Sequence, residues 1–459
     1  APLQEVAADD SRAKSQRLHA ALALAEFGEG DVAFLADSIA TAHAGECPNI
    51  VHALAYSGDD ALAALAHLAS EVDKAATPNW EHKARIAIVA LQLGDDRIFS
   101  DMANQRPDPV QRTVLIDVLS SWHGDLSAIA VDDLPPASAG VWCAGISMIP
   151  AEDLRPEELA ACGEWLVKLY IDSPDGYVHS AARRAIEMWG LTLPKIESTA
   201  EPISGYGWHT TGTGQTMLVI DRGAFLRNIE SDGKTERQRV VLSSSFLMAD
   251  RETTVGEFLA FMNADDIPAE EKPQNMQFDG TEDVSHPITH VNWFDVARYC
   301  NWLSRQEKLT PAYHFLDGTL RWDAAADGYR LPTEAEWEHA ARAGTTTRFS
   351  HGESATNLAK YATYSSRSTT PCGSKLPNAN GLFDMHGNVH EWCFDNWQAE
   401  YPSGDEVTDP VCQLASRRRV IRGGSYFYNE QFLSNGSRKY SDAGVGLQFT
   451  GFRVVRTLP

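Results

Sequence analysis

The chain has 459 residues, 43% of them hydrophobic and 22% charged, an ordinary globular balance with material for more than one core. Its 63 acidic against 39 basic residues leave a net charge of −24, a field that repels nucleic acid and anionic membrane surfaces. Seven widely spaced cysteines with no CxxC pair exclude a disulfide framework and a zinc ribbon. With no secretory signal and no apolar run of membrane-spanning length, the sequence predicts a cytoplasmic chain with free thiols, no membrane partner and no nucleic-acid partner.

The first half repeats itself loosely. ALALAEFGEGDVAFLAD, VHALAYSGDDALAALA, IAIVALQLGDDRIFSD and VLIDVLSSWHGDLSAIA each carry an apolar helical run, a Gly-Asp pair and a second apolar run. The pairs are Gly30-Asp31, Gly58-Asp59, Gly94-Asp95 and Gly124-Asp125, at a spacing of roughly thirty residues, as in helix-turn-helix solenoids. Glycine can end a helix in the left-handed conformation, and aspartate can cap the next by accepting a free backbone N–H. Such hairpins bury their apolar stripe only against a neighbour. The sequence thus predicts an α-solenoid, resembling HEAT-like repeats, over residues 1–195, with an irregular helical bundle as the alternative. His19, His43, His52, His67 and His82 are scattered and form no catalytic cluster. Pro194 closes the helical section, and a Ser/Glu/Pro/Gly mixture predicts a linker over 196–208.

From 209 to 459 the texture changes: helices become few, and short strand-like runs such as TMLVI and RVVL appear. In VNWFDVARYCNWLS, Trp293, Val296, Ala297, Cys300 and Leu303 recur at helical spacing and predict a buried face. In RLPTEAEWEHAARAG, Thr333 and Glu336 have the spacing of a capping box, and Gly344 suits the helix stop. Gly423 and Gly424 in RGGS suit unusual φ values. Trp293, Trp302, Trp337 and Trp392 are expected in the core. The stretch GLFDMHGNVHEW places His386 and His390 four apart. That spacing brings two side chains to one face only on a helix, which Gly387-Asn388 disfavours, so both are expected to pack rather than to hold a transition metal.

Five ordered phrases, SSSFLMADRETTVGEFLAFMN, HPITHVNWFDVARYCNWLS, GYRLPTEAEWEHAARAG, NANGLFDMHGNVHEW and RVIRGGSYF…TGFRVVR, closely resemble the formylglycine-generating enzyme (sulfatase-modifying factor) family. The resemblance implies a variant of the C-type-lectin-like fold with little regular secondary structure. The whole chain would then combine an α domain with an α+β domain. It implies a structural calcium site in GLFDMHGNVHEW, with the Asp384 side chain, the Gly387 and Val389 carbonyls and the Glu391 carboxylate as ligands, all hard oxygen donors. A second family calcium site would begin at Asn357 and Leu358, although the aligned YATYSS lacks the downstream Asp.

The family's oxidase holds copper through two cysteines shortly after RGGS, soft donors suited to Cu(I). The matching positions here are Tyr428 and Leu433, so no copper and no formylglycine generation is expected. Iron-dependent sulfoxide synthases of the same family carry an HxxxHxE motif, which is absent from residues 1–200. The resemblance therefore implies a non-catalytic binding protein with a protein or peptide partner, in bacterial signalling or defence. Metal-dependent oxidation with relocated ligands and a retroelement-diversified binding protein are the alternatives. The RGGS-to-GFR segment supplies the candidate contacts Tyr426, Tyr428, Asn429, Phe432, Arg438 and Tyr440, an aromatic and polar set like that of a paratope.

Overall fold

The computed structural model describes residues 3–122, 124–129, 133–199, 202–231, 234–273, 276, 283–316 and 319–458. The chain divides into two compact units. The first comprises Ala1–Gln105, Val110–Tyr170 and Ala181–Leu193; the second comprises Arg106–Pro109, Ile171–Ser180 and Pro194–Pro459.

The first unit is helical. Its longer helices include Lys14–Ala25, Gly58–Lys74, Trp80–Gln92, Val110–Ser120, Pro136–Ile146 and Pro156–Asp172. Apolar positions at helical spacing are fully enclosed, among them Leu35, Ile50, Leu54, Leu65, Ile86, Leu115 and Leu119. The Gly-Asp rule holds at some turns and fails at others. Asp31 caps Val32–Ser38 by accepting from Phe34 N, and Asp125 accepts from Ser127 N. Gly94 takes φ +90°, and the Asp95 N–H reaches back to the Ala90 carbonyl at 2.9 Å, closing the helix in a Schellman turn. At the first pair, however, it is Gly28, not Gly30, that turns left-handed, at φ +74°. At the second, Gly58 opens the helix Gly58–Lys74 and Asp59 lies in its first turn, with Ser57 at the cap position.

The second unit is a mixed α+β domain. A five-stranded sheet runs in the order Trp208–Thr210, Thr216–Ile220, Phe246–Ala249, Val455–Thr457, Tyr329–Arg330. A four-stranded sheet runs Arg438–Asp442, Arg418–Arg422, His390–Asn396, Thr450–Gly451. A third sheet pairs Gly223–Ser231 with Lys234–Leu242, and Lys234–Leu242 with Glu406–Thr408.

The helix Trp293–Gln306 starts at Asn292, whose side chain accepts from Phe294 and Asp295 N while Asp295 returns the bond. All five residues of its expected face are completely buried. The Thr333/Glu336 capping box forms as the sequence predicts, with bonds of 3.1 and 2.8 Å. The stop uses both Ala343 (φ +46°) and Gly344 (φ +79°). All four named tryptophans are core residues.

One segment departs from the simple two-part reading. Residues 171–180, read from the sequence as helical repeat, belong to the second unit. Trp208 stacks on His179 at 3.8 Å and donates Nε1–H to the Ser173 carbonyl, while Gly207 N–H donates to Pro174. The C-terminal end of the expected linker is therefore packed structure; residues 200–201 lie outside the described residues.

Candidate functional site

The Gly381–Trp392 stretch is an enclosed loop. Asp384 (φ +58°), Gly387 (φ +87°) and Asn388 (φ +53°) all take the left-handed conformation, so the chain winds tightly. A side chain at Gly387 would collide with the Thr363 backbone at 2.2 Å. His386 and His390 are both buried and not helical. His386 Nδ1–H donates to the Leu433 carbonyl at 2.7 Å, and its Nε2 accepts from Ser350 N. His390 Nδ1–H donates to the Arg422 carbonyl at 3.3 Å, while its buried Nε2 has no hydrogen-bond partner. Burial pushes each imidazole down to about 3.

The carboxylates of this loop meet a third from far away in sequence. Glu252 is fully enclosed; its Oε1 accepts from Val389 N (3.0 Å) and its Oε2 from Asn388 Nδ2 (2.6 Å). Burial, then the Asp384 and Glu391 charges, raise its pKa well above the usual range. Asp384 is pushed up to about 6, chiefly by burial. Its Oδ2 accepts from Gly373 N at 2.7 Å, and its Oδ1 has no partner. Glu391 is differently placed. Arg453 donates to both its oxygens at 2.6 Å, and Trp337 Nε1–H adds a third bond at 2.7 Å.

The set of oxygens suits a hard cation, and the orphaned Asp384 Oδ1 fits that use. Arg453 occupies the Glu391 carboxylate in this arrangement. Among the described residues no group of three or more His, Cys, Asp or Glu side chains is placed to hold a metal ion. Glu252 escaped the sequence reading. Its only local signal is an Asp-Arg-Glu run directly after the buried strand Phe246–Ala249.

At the second expected site, Leu358 is a core residue clustered with Phe349, Ala362 and Leu433, and Asn357 begins the short helix Leu358–Tyr361.

The RGGS-to-GFR segment does not present its candidates on one surface. Along Arg438–Asp442 successive side chains point to opposite faces. Arg438 and Tyr440 turn towards Trp397, with the Arg438 guanidinium 4.3 Å and the Tyr440 ring 4.9 Å from its ring. Lys439 turns the other way, its Nζ 3.9 Å from the Tyr428 ring centroid and 4.1 Å from that of Phe432. Arg438 is bound through Nε and Nη2 to Glu334 at 2.8 Å, so its charge is internally paired and it is not a free contact. Tyr426 is also corrected: its backbone bonds to Asn388 and Ser366 tuck it behind the loop, and it is buried. Asn429 is exposed and caps the turn Glu430–Phe432 by accepting from Gln431 N.

Tyr428, half-buried, packs with Phe432 (5.3 Å), Phe449 (6.0 Å) and the His390 ring (5.2 Å). Beside it, Phe427 is 62% exposed and stacks parallel to Phe449. Leu433 is fully buried. Neither phenol nor isobutyl group is a soft donor. The result is an aromatic patch with one ammonium, centred on the positions aligned with the family's cysteines. Phe427, the most exposed of its rings, was in the segment but not among the sequence-derived contacts.

Residues 207–458 match the Sulfatase-modifying factor enzyme 1-like domain. The chain belongs to that family. The formylglycine-generating enzyme of Streptomyces coelicolor is 31% identical over 178 residues, 36% of this chain and 49% of that protein. The enzyme of the same name from Thermomonospora curvata is 28% identical over 194 residues, 38% of this chain and 56% of that one. The chain thus spans about half the length of these curated relatives. Treponema denticola variable protein 1 superposes with a TM-score of 0.46 at 29% identity, over 55% of this chain and 98% of that one. Among the described residues no helix is long and apolar enough to cross a membrane.

Proposed function

We propose that the family domain of this chain binds a protein or peptide partner and does not carry out the family's oxygen chemistry. The observation that supports this most is the replacement of the paired sulfur donors by Tyr428 and Leu433, in a patch whose remaining groups are rings and one ammonium. Rigid aromatic side chains supply contact area at low entropic cost. Phe427, Tyr428, Phe432 and Lys439 would be the contacts, with Asn429 at the rim. Formylglycine generation, the activity for which the relatives are named, is the reading to be beaten. The purified chain is given Cu(I), oxygen and a cysteine peptide, and the peptide is examined by mass spectrometry. No formylglycine is expected, whereas turnover would overturn the proposal. On the binding side, Phe427→Ala should lose a partner that the parent protein retains in solution.

In the same reading the domain carries a structural calcium ion held by Asp384, the Gly387 and Val389 carbonyls and, shared with Arg453, Glu391. A bound ion would neutralise the buried carboxylates, and binding only the native state raises its stability. Calcium is expected to raise the melting temperature of the parent chain and to leave that of Asp384→Ala unchanged. A variant that still gains stability would place the ion elsewhere.

A further inference from the structure

Arg438, on the face of its strand opposite Lys439, lines a cavity of about 750 Å³ in the second unit. This lies within the roughly 300–1,000 Å³ range of small-molecule sites. The cavity is separate from the aromatic patch, and its polar groups are unequally satisfied. Its two enclosed acids are engaged, while Glu400 stands exposed at its edge: Glu334 accepts from Arg438 at both oxygens and from the Tyr401 hydroxyl. Asp395 accepts from Glu334 N at 2.7 Å and Cys412 N at 2.8 Å. Arg438 is engaged as well.

Arg227 is not. It is 3% exposed, and its Nη2 makes no hydrogen bond. Its nearest acid, Glu338, stands 3.4 Å from Nε, but that carboxylate already accepts from Arg342 and Arg422. Four guanidiniums, those of Arg227, Arg342, Arg422 and Arg438, thus share two carboxylates, Glu334 and Glu338, in one connected network. A buried cation without a full counterion is costly, and among the enclosed charged groups of this wall the capacity left over is that of the Arg227 donor. The Tyr401 ring lies 4.0 Å from the Arg227 guanidinium and 4.1 Å from that of Arg438, and Pro402, Pro410 and Leu414 add apolar wall.

We infer that this cavity binds a small organic carboxylate, its anionic head paired with Arg227 and its apolar body lying against Tyr401, Pro402, Pro410 and Leu414. Arginine matches a carboxylate with two parallel N–H donors, which a neutral or cationic ligand cannot use.

The test is calorimetric titration of the full chain with benzoate, with benzyl alcohol and benzamidine as shape controls. Benzoate should bind saturably and the two controls should not. Arg227→Met should weaken benzoate binding by about tenfold or more, a loss of about 1.4 kcal/mol or more. Leu414 is 67% exposed, so Leu414→Trp can obstruct the cavity without disturbing a core. It should abolish benzoate binding at an unchanged melting temperature, and it decides the matter if Arg227→Met fails to fold. Absence of benzoate binding to the parent chain, equal binding of benzamidine, or undiminished binding by the folded variants would overturn the inference.

Discussion

The two units hold themselves together in different ways. In the helical unit charges stay mostly at the surface, as in the Lys74–Glu71 pair with side chains 68% and 55% exposed. Its core is Leu, Ile and Ala at helical spacing. The family domain instead encloses whole ion pairs: Arg453 with Glu391 and Arg422 with Glu338 are all 0% exposed. These partners lie 62 and 84 residues apart in sequence. Exposed pairs contribute about 0–1 kcal/mol. An enclosed pair offers little net gain over an apolar one, yet leaves an uncompensated charge if one partner is removed. The second unit is therefore tuned to lose far more from a single truncation of a charged residue than the first.

The largest expected effect follows directly. Glu391→Ala strips Arg453 and Trp337 Nε1–H of their acceptor inside the core, and should cost about 3–5 kcal/mol in denaturant unfolding. Removing Glu71 from the helical unit should leave the unfolding curve almost where it was, because its partner Lys74 stays solvated. Similar losses from the two changes would erase the contrast.

Acid sharpens it. Burial opposes the charge on Glu338, but Arg422, Arg227 and Arg342 together hold it at about 2, below its usual 4.5. A depressed folded-state value means stability that is fully present above about 4.5 and is lost as pH falls towards about 2. The difference corresponds to something on the order of 3 kcal/mol. Glu338→Gln should lower stability at pH 7 and remove this part of the acid dependence, as read from unfolding curves between pH 2 and 6. An unchanged acid limb would show that other carboxylates carry it.

A smaller effect is expected at a helix end. Asp31→Ala removes the cap bond to Phe34 N and should cost about 0.5–2 kcal/mol. Asp59→Ala, at the Gly-Asp pair where the aspartate lies inside the first turn, should cost only a few tenths through the helix dipole. Equal costs would mean that capping does not distinguish these two turns.

That pair of turns shows what a sequence can reveal. The helix Trp293–Gln306, the Thr333–Glu336 box, the left-handed Gly423 and Gly424 (φ +87° and +78°) and the four core tryptophans follow from spacing within a few residues. Gly28 rather than Gly30 takes the left-handed position, and a spacing rule does not separate two glycines that lie within one turn. Glu252 was invisible because its partners Asn388 and Val389 lie 136 and 137 residues away. The pairing of Arg438 with Glu334 is hidden from the sequence for another reason. Composition locates a segment, but the direction of a side chain depends on strand pleat and on which acid, here Glu334, waits beneath it. Lys439 faces the patch through the pleat of its strand and Phe427 through the turn that carries it, and nothing in the residue types distinguishes them from their neighbours.

The smallest expected change in stability is also the most informative for the patch. Phe427 is 62% exposed and makes ring contacts with Tyr428 and Phe449. Phe427→Ala should therefore shift unfolding by no more than about 0.5 kcal/mol. Tyr428 is half-buried and packs against the cluster that includes Leu433, so Tyr428→Ala should cost more, roughly 1–3 kcal/mol, because it opens a cavity as well as removing a surface ring. Lys439 shares the Tyr428 and Phe432 faces, and burial lowers its pKa. Lys439→Met keeps the aliphatic stem over both rings and removes only the charge, at little cost in stability. A partner drawn by the ammonium would be lost with Lys439→Met and kept with Phe427→Ala; a partner drawn by the rings would reverse that order. A chain whose capture is indifferent to both changes does not use this patch, since between them they alter its most exposed ring and its one cation without disturbing the core.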